Sequence, residues 1–179
     1  MRAFSTGWTG RKIGDSNMTS AGEEYAGEIL ELFNKGNVLS EFNSGTYTGI
    51  SLFGLILWSK YLPSDSIMTK NGPRMIHYTW ETITQLWHAE MKNMAGPWDR
   101  AYGFDMNRYF SLMGAWFWIL MGKEKSSIIS RVSRPKMTGK SPLTRKKKGL
   151  TRDSHKSCLT PETLRGVLSL QYSPKNISI

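Results

Sequence analysis

Four stretches of the chain place apolar residues at helical spacing, and polar loops separate them. The first stretch, SAGEEYAGEILELFNKGN, puts Tyr25, Ile29 and Phe33 on one side, with acidic residues in its first turn. Ser20 is the type of residue that caps a helix N-terminus. The pattern predicts a first helix over residues 21–35.

The second stretch, YTGISLFGLILWSKYLP, is apolar on nearly every face, and Pro63 closes it. The segment ISLFGLILW alone would also fit a β-strand, since short apolar runs do not separate the two structures. The run nevertheless continues to Tyr61, which is longer than most strands. We therefore expect a second helix over residues 47–61.

The third stretch begins at Gly72 and Pro73, a pair typical of a helix start. Its large apolar residues follow at spacings of four, three and four, which places them on one face: Ile76, Trp80, Ile83 and Trp87. This one-sided pattern predicts a third helix over residues 73–91.

The fourth stretch, MNRYFSLMGAWFWILMG, is apolar all round and follows Asp105, a candidate N-cap. It predicts a fourth helix over residues 105–122, and such a helix must be covered on all sides. Its longest apolar run, residues 110–122, is well short of the roughly 20 residues that span a bilayer, so we expect no transmembrane segment.

The two ends of the chain differ from this helical middle. Residues 1–19 are Gly, Ser, Thr and basic residues without period, and are predicted to form an irregular lead-in to a helical domain at 20–124. Residues 125–179 are rich in Ser, Lys, Arg, Thr and Pro and are predicted to be a disordered tail. The opening residues contain no apolar core of the signal-peptide kind.

The net charge of +10 comes from the tail. From Lys123 onward there are 14 Lys and Arg against 3 Asp and Glu, whereas the first 122 residues hold 10 against 11. A basic block such as RKKKGLTR attracts phosphate, but no aromatic residues alternate with it to form a stacking platform. We therefore expect no nucleic-acid partner.

Four consecutive helices with short connections usually run up and down in turn, which predicts an all-α fold of about two antiparallel hairpins. The connection EFNSGTY, residues 41–47, and the connection GPWDRAYGFDMNRY, residues 96–109, would then lie at the same end. Both precede helix N-termini, where free backbone N–H groups favour anionic or hydroxyl-bearing ligands.

Together the two connections supply the groups that sugar chemistry needs, because carboxyl pairs transfer protons and aromatic rings stack on sugars. The same groups suit a lyase or isomerase acting on a small apolar ligand. Candidate catalytic residues are Glu41, Asp99 and Asp105, and candidate substrate-binding residues are Asn43, Tyr47, Trp98, Arg100, Tyr102, Asn107, Arg108 and Tyr109.

A structural interpretation of the same residues stays open. Asp105 would then be an N-cap, Asp99 would pair with Arg100 or Arg108, and Trp98 would be a core residue, as would Tyr102. No metal or other cofactor is predicted, since the pairs His77 with Glu81 and His88 with Glu90 have no third ligand at suitable spacing. Cys158 has no second cysteine with which to form an internal disulfide.

At these two motifs the chain resembles a set of fungal uncharacterised proteins that are similar to six-hairpin (α/α) toroids, the architecture of many glycoside hydrolases and polysaccharide lyases. The pattern reads E-F/Y-N-S-P-T-Y before one inner helix and G-P-W/Y-D-R-A/S-Y-G-x-D-M before another. Here EFNSGTY and GPWDRAYGFDM match it within residues 21–122, with Gly45 in place of the proline.

The resemblance implies a carbohydrate-active or lyase-like enzyme, and it implies that this chain is a fragment, because a toroid needs about twelve helices. An arc of a toroid leaves apolar helix faces exposed, so we expect self-association. The alternative hypothesis is a non-catalytic helical interaction protein whose second and fourth helices pack on a partner and whose basic tail adds electrostatic attraction.

Overall fold

The computed structural model describes residues 1–100, 111–122 and 124–126, and in these residues the fold is all-α, as predicted. A two-residue antiparallel ribbon is the exception: β1 (Trp87–His88) pairs with β2 (Asn93–Met94). The helices are α1 (Arg2–Ile13), α2 (Ser16–Asn34), α3 (Tyr47–Tyr61), α4 (Ile67–Leu86) and α5 (Leu112–Met121).

The prediction of an irregular lead-in over residues 1–19 was wrong, because α1 and the start of α2 occupy it. The two helices form a tight hairpin around small residues. A Cβ on Gly22 would lie 2.4 Å from the Cα of Gly7, and one on Gly10 would lie 2.5 Å from the backbone N of Thr19. Because close backbone packing replaces large apolar side chains here, hydrophobic periodicity does not reveal α1.

Helix α2 also begins earlier than predicted. Its N-cap is Asp15, whose carboxylate accepts a hydrogen bond from the backbone N of Met18 at 2.9 Å, and not Ser20. Gly14, in the left-handed region at φ 75°, makes the turn out of α1. The Gly14–Asp15 pair therefore ends one helix and begins the next.

The predicted bounds of α3 are confirmed, whereas those of α4 are shifted towards the N-terminus. Ser66 caps α4, so Pro73 lies inside the helix instead of opening it. A Cβ on Gly72 would lie 2.5 Å from Ser59 Oγ, so α3 and α4 also pack closely. The residues predicted to form the end of this helix, after Leu86, form β1 and the turn that follows it.

Helix α5 begins at Leu112, with the Oγ of Ser111 accepting from the backbone N of Gly114 at 3.0 Å. The N-cap of α5 is therefore Ser111 and not Asp105. Asp105 and the other residues before 111 that were predicted to begin this helix lie outside the described residues. The fully buried side chain of Phe117 packs α5 against the core. Its ring centroid lies 4.0 Å from that of Trp87 and 6.4 Å from that of Trp80.

The described helices form two antiparallel hairpins, as predicted, but the pairing differs. The structure pairs α1 with α2 and α3 with α4, whereas we had expected each hairpin to enclose one of the two polar motifs. Helix α4 also packs on α2, and α5 packs on α3. No helix of the described ranges is long and apolar enough to cross a membrane.

Glu23 connects three helices where the two hairpins meet. One carboxylate oxygen receives hydrogen bonds from Arg11 Nη2 at 2.6 Å and Ser66 Oγ at 2.7 Å, and the other receives one from the backbone N of Ile67 at 2.9 Å. Glu23 thus neutralises Arg11 of α1 and places negative charge at the N-terminus of α4, where the helix dipole favours it.

Replacing Glu23 by alanine is expected to cost about 1–2 kcal/mol of unfolding free energy, because α4 loses a capping acceptor and Arg11 loses its partner. The matched control is Glu24→Ala, since Glu24 is the exposed neighbour on the same helix and its loss should change stability by less than about 0.5 kcal/mol. Urea unfolding of both variants measures the difference, and equal effects would show that Glu23 does not connect the hairpins.

Candidate functional site

The two polar loops are in direct contact in the structure. The first loop, residues 35–46, joins α2 to α3, and the second loop, residues 95–111, leads into α5 and is described at 95–100 and 111. The backbone N of Asp99 donates to the backbone O of Asn43 at 3.0 Å, and the Asp99 carboxylate accepts from the backbone N of Asn43 at 3.1 Å. The prediction that the loops lie at the same end is confirmed.

Asn43 is the central anchor of this contact. It is only 4% exposed, and its side-chain nitrogen donates to the backbone oxygens of Ala95 at 2.9 Å and Pro97 at 2.8 Å. Among the described residues, its Oδ1 has no hydrogen-bond partner. Both amide hydrogens are thus used to hold the second loop, and the prediction that Asn43 contacts a ligand stays a prediction.

Ser44 and Thr48 stabilise the first loop from inside, and the candidate residues taken from the sequence did not include them. Both are fully buried. Thr48 Oγ1 accepts from the backbone N of Ser44 at 3.0 Å and lies 2.9 Å from the carbonyl oxygen of Phe42, while Ser44 Oγ donates to the carbonyl of Arg100 at 3.2 Å. A serine and a threonine four residues apart at a helix start is the signal that would have indicated them.

The N-terminal ends of α3 and α5 meet beneath the loops. The backbone N of Met113 donates to the carbonyl of Gly45 at 3.2 Å, and the indole nitrogen of Trp116 donates to the carbonyl of Gly49 at 3.3 Å. A Cβ on Gly49 would lie 2.5 Å from the backbone N of Met113, so the two helices touch through backbone. This contact fixes where both loops begin their helices.

Glu41 and Arg100 form an ion pair across the two loops. Arg100 Nε lies 2.9 Å from Glu41 Oε1, and the side chains are 58% and 37% exposed. The guanidinium carbon of Arg100 also lies 5.5 Å from the ring centroid of Tyr47. Because the pair faces solvent, it contributes little to stability, and its groups remain accessible to a ligand.

Trp98 and Asp99 have different surroundings. The indole nitrogen of Trp98 donates to the carbonyl of Met94 at 3.2 Å, and the ring packs against the core. Asp99 is bonded to Asn43 through its carboxylate, and the described acidic partner of Arg100 is Glu41. The structure therefore brings together Glu41, Asn43, Tyr47, Trp98, Asp99 and Arg100.

The remaining candidates lie outside the described residues: Tyr102, Asp105, Asn107, Arg108 and Tyr109. Within the described ranges, no group of three or more His, Cys, Asp or Glu side chains is placed to hold a metal ion.

A family model described as a domain of unknown function, DUF8769, matches residues 1–141. The chain belongs to the DUF8769 family. The matched region contains α1 to α5 and both loops, which agrees with α1 being part of the packed domain. No curated protein and no solved structure matches the chain.

Proposed function

We propose that the joined loops bind a carbohydrate, and that the chain is part of an (α/α)-toroid enzyme of the carbohydrate-active or lyase and isomerase type. The observation that supports this most is the contact between the loops through Asn43, which gathers charged and aromatic groups at one end of α3. Glu41, Asp99 and Asp105 are the proposed acid and base groups.

The accessible groups suit a hydroxyl-rich ligand. The guanidinium of Arg100 and the carboxylate of Glu41 offer planar donors and acceptors, and the ring of Tyr47 beside Arg100 offers aromatic surface for a sugar face. Trp98 packs against the core, and its contact with a ligand stays a prediction. In glycoside hydrolysis one carboxyl group protonates the leaving oxygen, and a carboxylate takes a proton from the attacking water. The C–O bond to the leaving group breaks, and a C–O bond to the water oxygen forms in its place. Glu41 and Asp99, on adjoining loops, are the two carboxyl groups that we propose for these roles.

The hydrogen bonds that hold the described part of the loops support the same proposal. Asn43, Ser44 and Thr48 are buried and bonded to the backbone, so the exposed groups above them are held in place before a ligand arrives. Preorganised groups bind with a smaller entropic cost than mobile ones.

The test is a titration of the full chain with neutral hexasaccharides of glucose, xylose and N-acetylglucosamine. Tryptophan fluorescence measures binding, and the release of new reducing ends measures turnover. One of these ligands is expected to bind, and Glu41→Gln and Asp99→Asn should each lower turnover at least 100-fold, the usual contribution of a general acid or base. These substitutions keep the shape of the side chains, so melting temperatures should change little.

The matched control is Glu24→Gln on the exposed face of α2, which should leave binding and turnover unchanged. Binding without turnover would retain the carbohydrate site and exclude catalysis by this chain alone. Failure of every sugar to bind, with the fold intact, would overturn the proposal.

A second candidate is the non-catalytic interaction protein, and the surface of α5 favours it. Trp118 is 45% exposed and Ile119 is 74% exposed, so the described residues leave part of this apolar helix uncovered. Sedimentation velocity together with the sugar titration separates the candidates: stable complex formation without any sugar binding supports this one, whereas sugar binding, by a monomer or an oligomer, supports the first.

A further inference from the structure

Three aromatic rings from α1 and α3 form a continuous row on the surface, with a lysine at each end. The rings of Phe4 and Trp8 stack at a centroid distance of 6.4 Å, and the ring of Tyr61 lies 6.4 Å from that of Phe4. Lys12 lies over Trp8 at 5.6 Å, and Lys60 lies over Tyr61 at 5.4 Å. We call this row the aromatic–lysine strip.

The strip lies on an apolar surface that carries positive charge. Trp8 is 37% exposed and Tyr61 is 53% exposed, and Ile50 and Phe53 extend the exposed apolar surface along α3. Neither α1 nor α3 contains an acidic residue. The nearest acids along the chain are Asp15, which caps α2, and Asp65, in the connection after α3.

One acidic side chain of the neighbouring helix α2 is already paired elsewhere. Glu23 of α2 is bonded to Arg11 and to the N-terminus of α4. Arg2, at the start of α1, lies over the ring of Tyr25 at 3.8 Å, which is a ring outside the strip. The surface therefore combines apolar groups with cations, and a matching partner has to be apolar and anionic.

Two kinds of partner fit this surface poorly. Nucleic-acid bases stack on open ring faces, but the rings here are stacked on each other or covered by lysines. A two-fold dimer through the strip would bring Lys12 and Lys60 close to the same cations of the second copy, which is unfavourable.

We infer that the aromatic–lysine strip docks the protein on the surface of an anionic lipid bilayer. Tryptophan and tyrosine favour the boundary between headgroups and acyl chains, where their rings are apolar and their polar atoms stay hydrated. The ammonium groups of Lys12 and Lys60, 5.6 and 5.4 Å from the neighbouring ring centroids, supply the positive charge that attracts lipid phosphates. The strip offers both kinds of contact on one face of the hairpins.

The experiment measures co-sedimentation of the full chain with vesicles of phosphatidylcholine and phosphatidylserine at about 0.15 M salt. The test variant is Lys12→Glu with Lys60→Glu, and the control is Lys35→Glu with Lys70→Glu, at exposed positions on α2's C-terminus and α4. Both variants lower the net charge by the same amount, so any loss of general electrostatic attraction to the vesicles is the same in the two.

The vesicle partition coefficient of the test variant is expected to fall at least about 25-fold, because each lysine near an anionic surface contributes about a factor of five. The control should fall much less. Trp8→Ala should also weaken binding, whereas Trp118→Ala, which removes an exposed tryptophan from α5, should not.

Equal losses in the two charge variants would overturn the proposal, as would equal binding to vesicles of phosphatidylcholine alone or no vesicle binding by the unaltered chain. Binding to a single-stranded oligonucleotide that the same strip variants abolish would assign the surface to nucleic acid instead. A dimer in sedimentation velocity that only the strip variants dissociate would assign it to a second copy.

Discussion

Replacing Gly22 by alanine is expected to destabilise the protein by about 3 kcal/mol, the upper part of the range for overpacking a close contact. The added Cβ would lie 2.4 Å from both the Cα and the backbone N of Gly7, and 3.1 Å from the carbonyl oxygen of Ala3. These are backbone atoms, which cannot rotate away as a side chain does. Helices α1 and α2 must therefore separate, and the contacts along their whole hairpin weaken.

The matched control for Gly22 is Gly27→Ala in the same helix. A Cβ at Gly27 meets no atom within 4 Å, so this substitution should stabilise the protein by about 0.5–1 kcal/mol through higher helix propensity. Thermal unfolding followed by circular dichroism should show shifts of opposite sign. Equal shifts for the two variants would contradict the close packing of α1 on α2.

Asn43→Ala is expected to cost about 2–3 kcal/mol of unfolding free energy. The substitution removes two hydrogen bonds, each worth about 1 kcal/mol net, and leaves the carbonyl groups of Ala95 and Pro97 without their donor. Asn43→Asp should cost at least as much, because a carboxylate offers no hydrogens and would face two carbonyl oxygens. Sugar binding at the loops should weaken in both variants.

The control for Asn43 is Asn17→Ala, an exposed position in the first turn of α2 where we expect a change below about 0.5 kcal/mol. Urea unfolding of the three variants measures the effects. If Asn43→Ala and Asn17→Ala unfold at the same urea concentration, Asn43 does not hold the loops together.

The sequence predicted α3 and the meeting of the two loops because both follow from local signals. The apolar run of α3 is long and ends at Pro63, and the alternation of helices with short connections places the polar loops at one end. The pair of Asp99 with Arg100, one alternative in the structural interpretation, was wrong, because the described acidic partner of Arg100 is Glu41.

Other features depend on contacts between distant parts of the chain and have no local signal. Helix α1 packs through Gly7 and Gly10 against the backbone of α2. Glycine disfavours a helix by its intrinsic propensity, so these residues gave no local sign of α1. The start of α4 has a local cap in Ser66, but its second acceptor, Glu23, lies far away in the sequence. The role of Asn43 as an anchor likewise appears only when the second loop is in place.

The central claim is that the two loops, far apart in sequence, form one rigid site around Asn43. The most direct test is a nuclear Overhauser measurement on the full chain labelled with ¹⁵N, which records contacts of the Asn43 side-chain amide protons. We predict contacts from these protons to the α-protons of Ala95 and Gly96, and slow exchange of the protons with water. Rapid exchange, with contacts only to neighbours in sequence, would show that the loops are separate and would contradict the account.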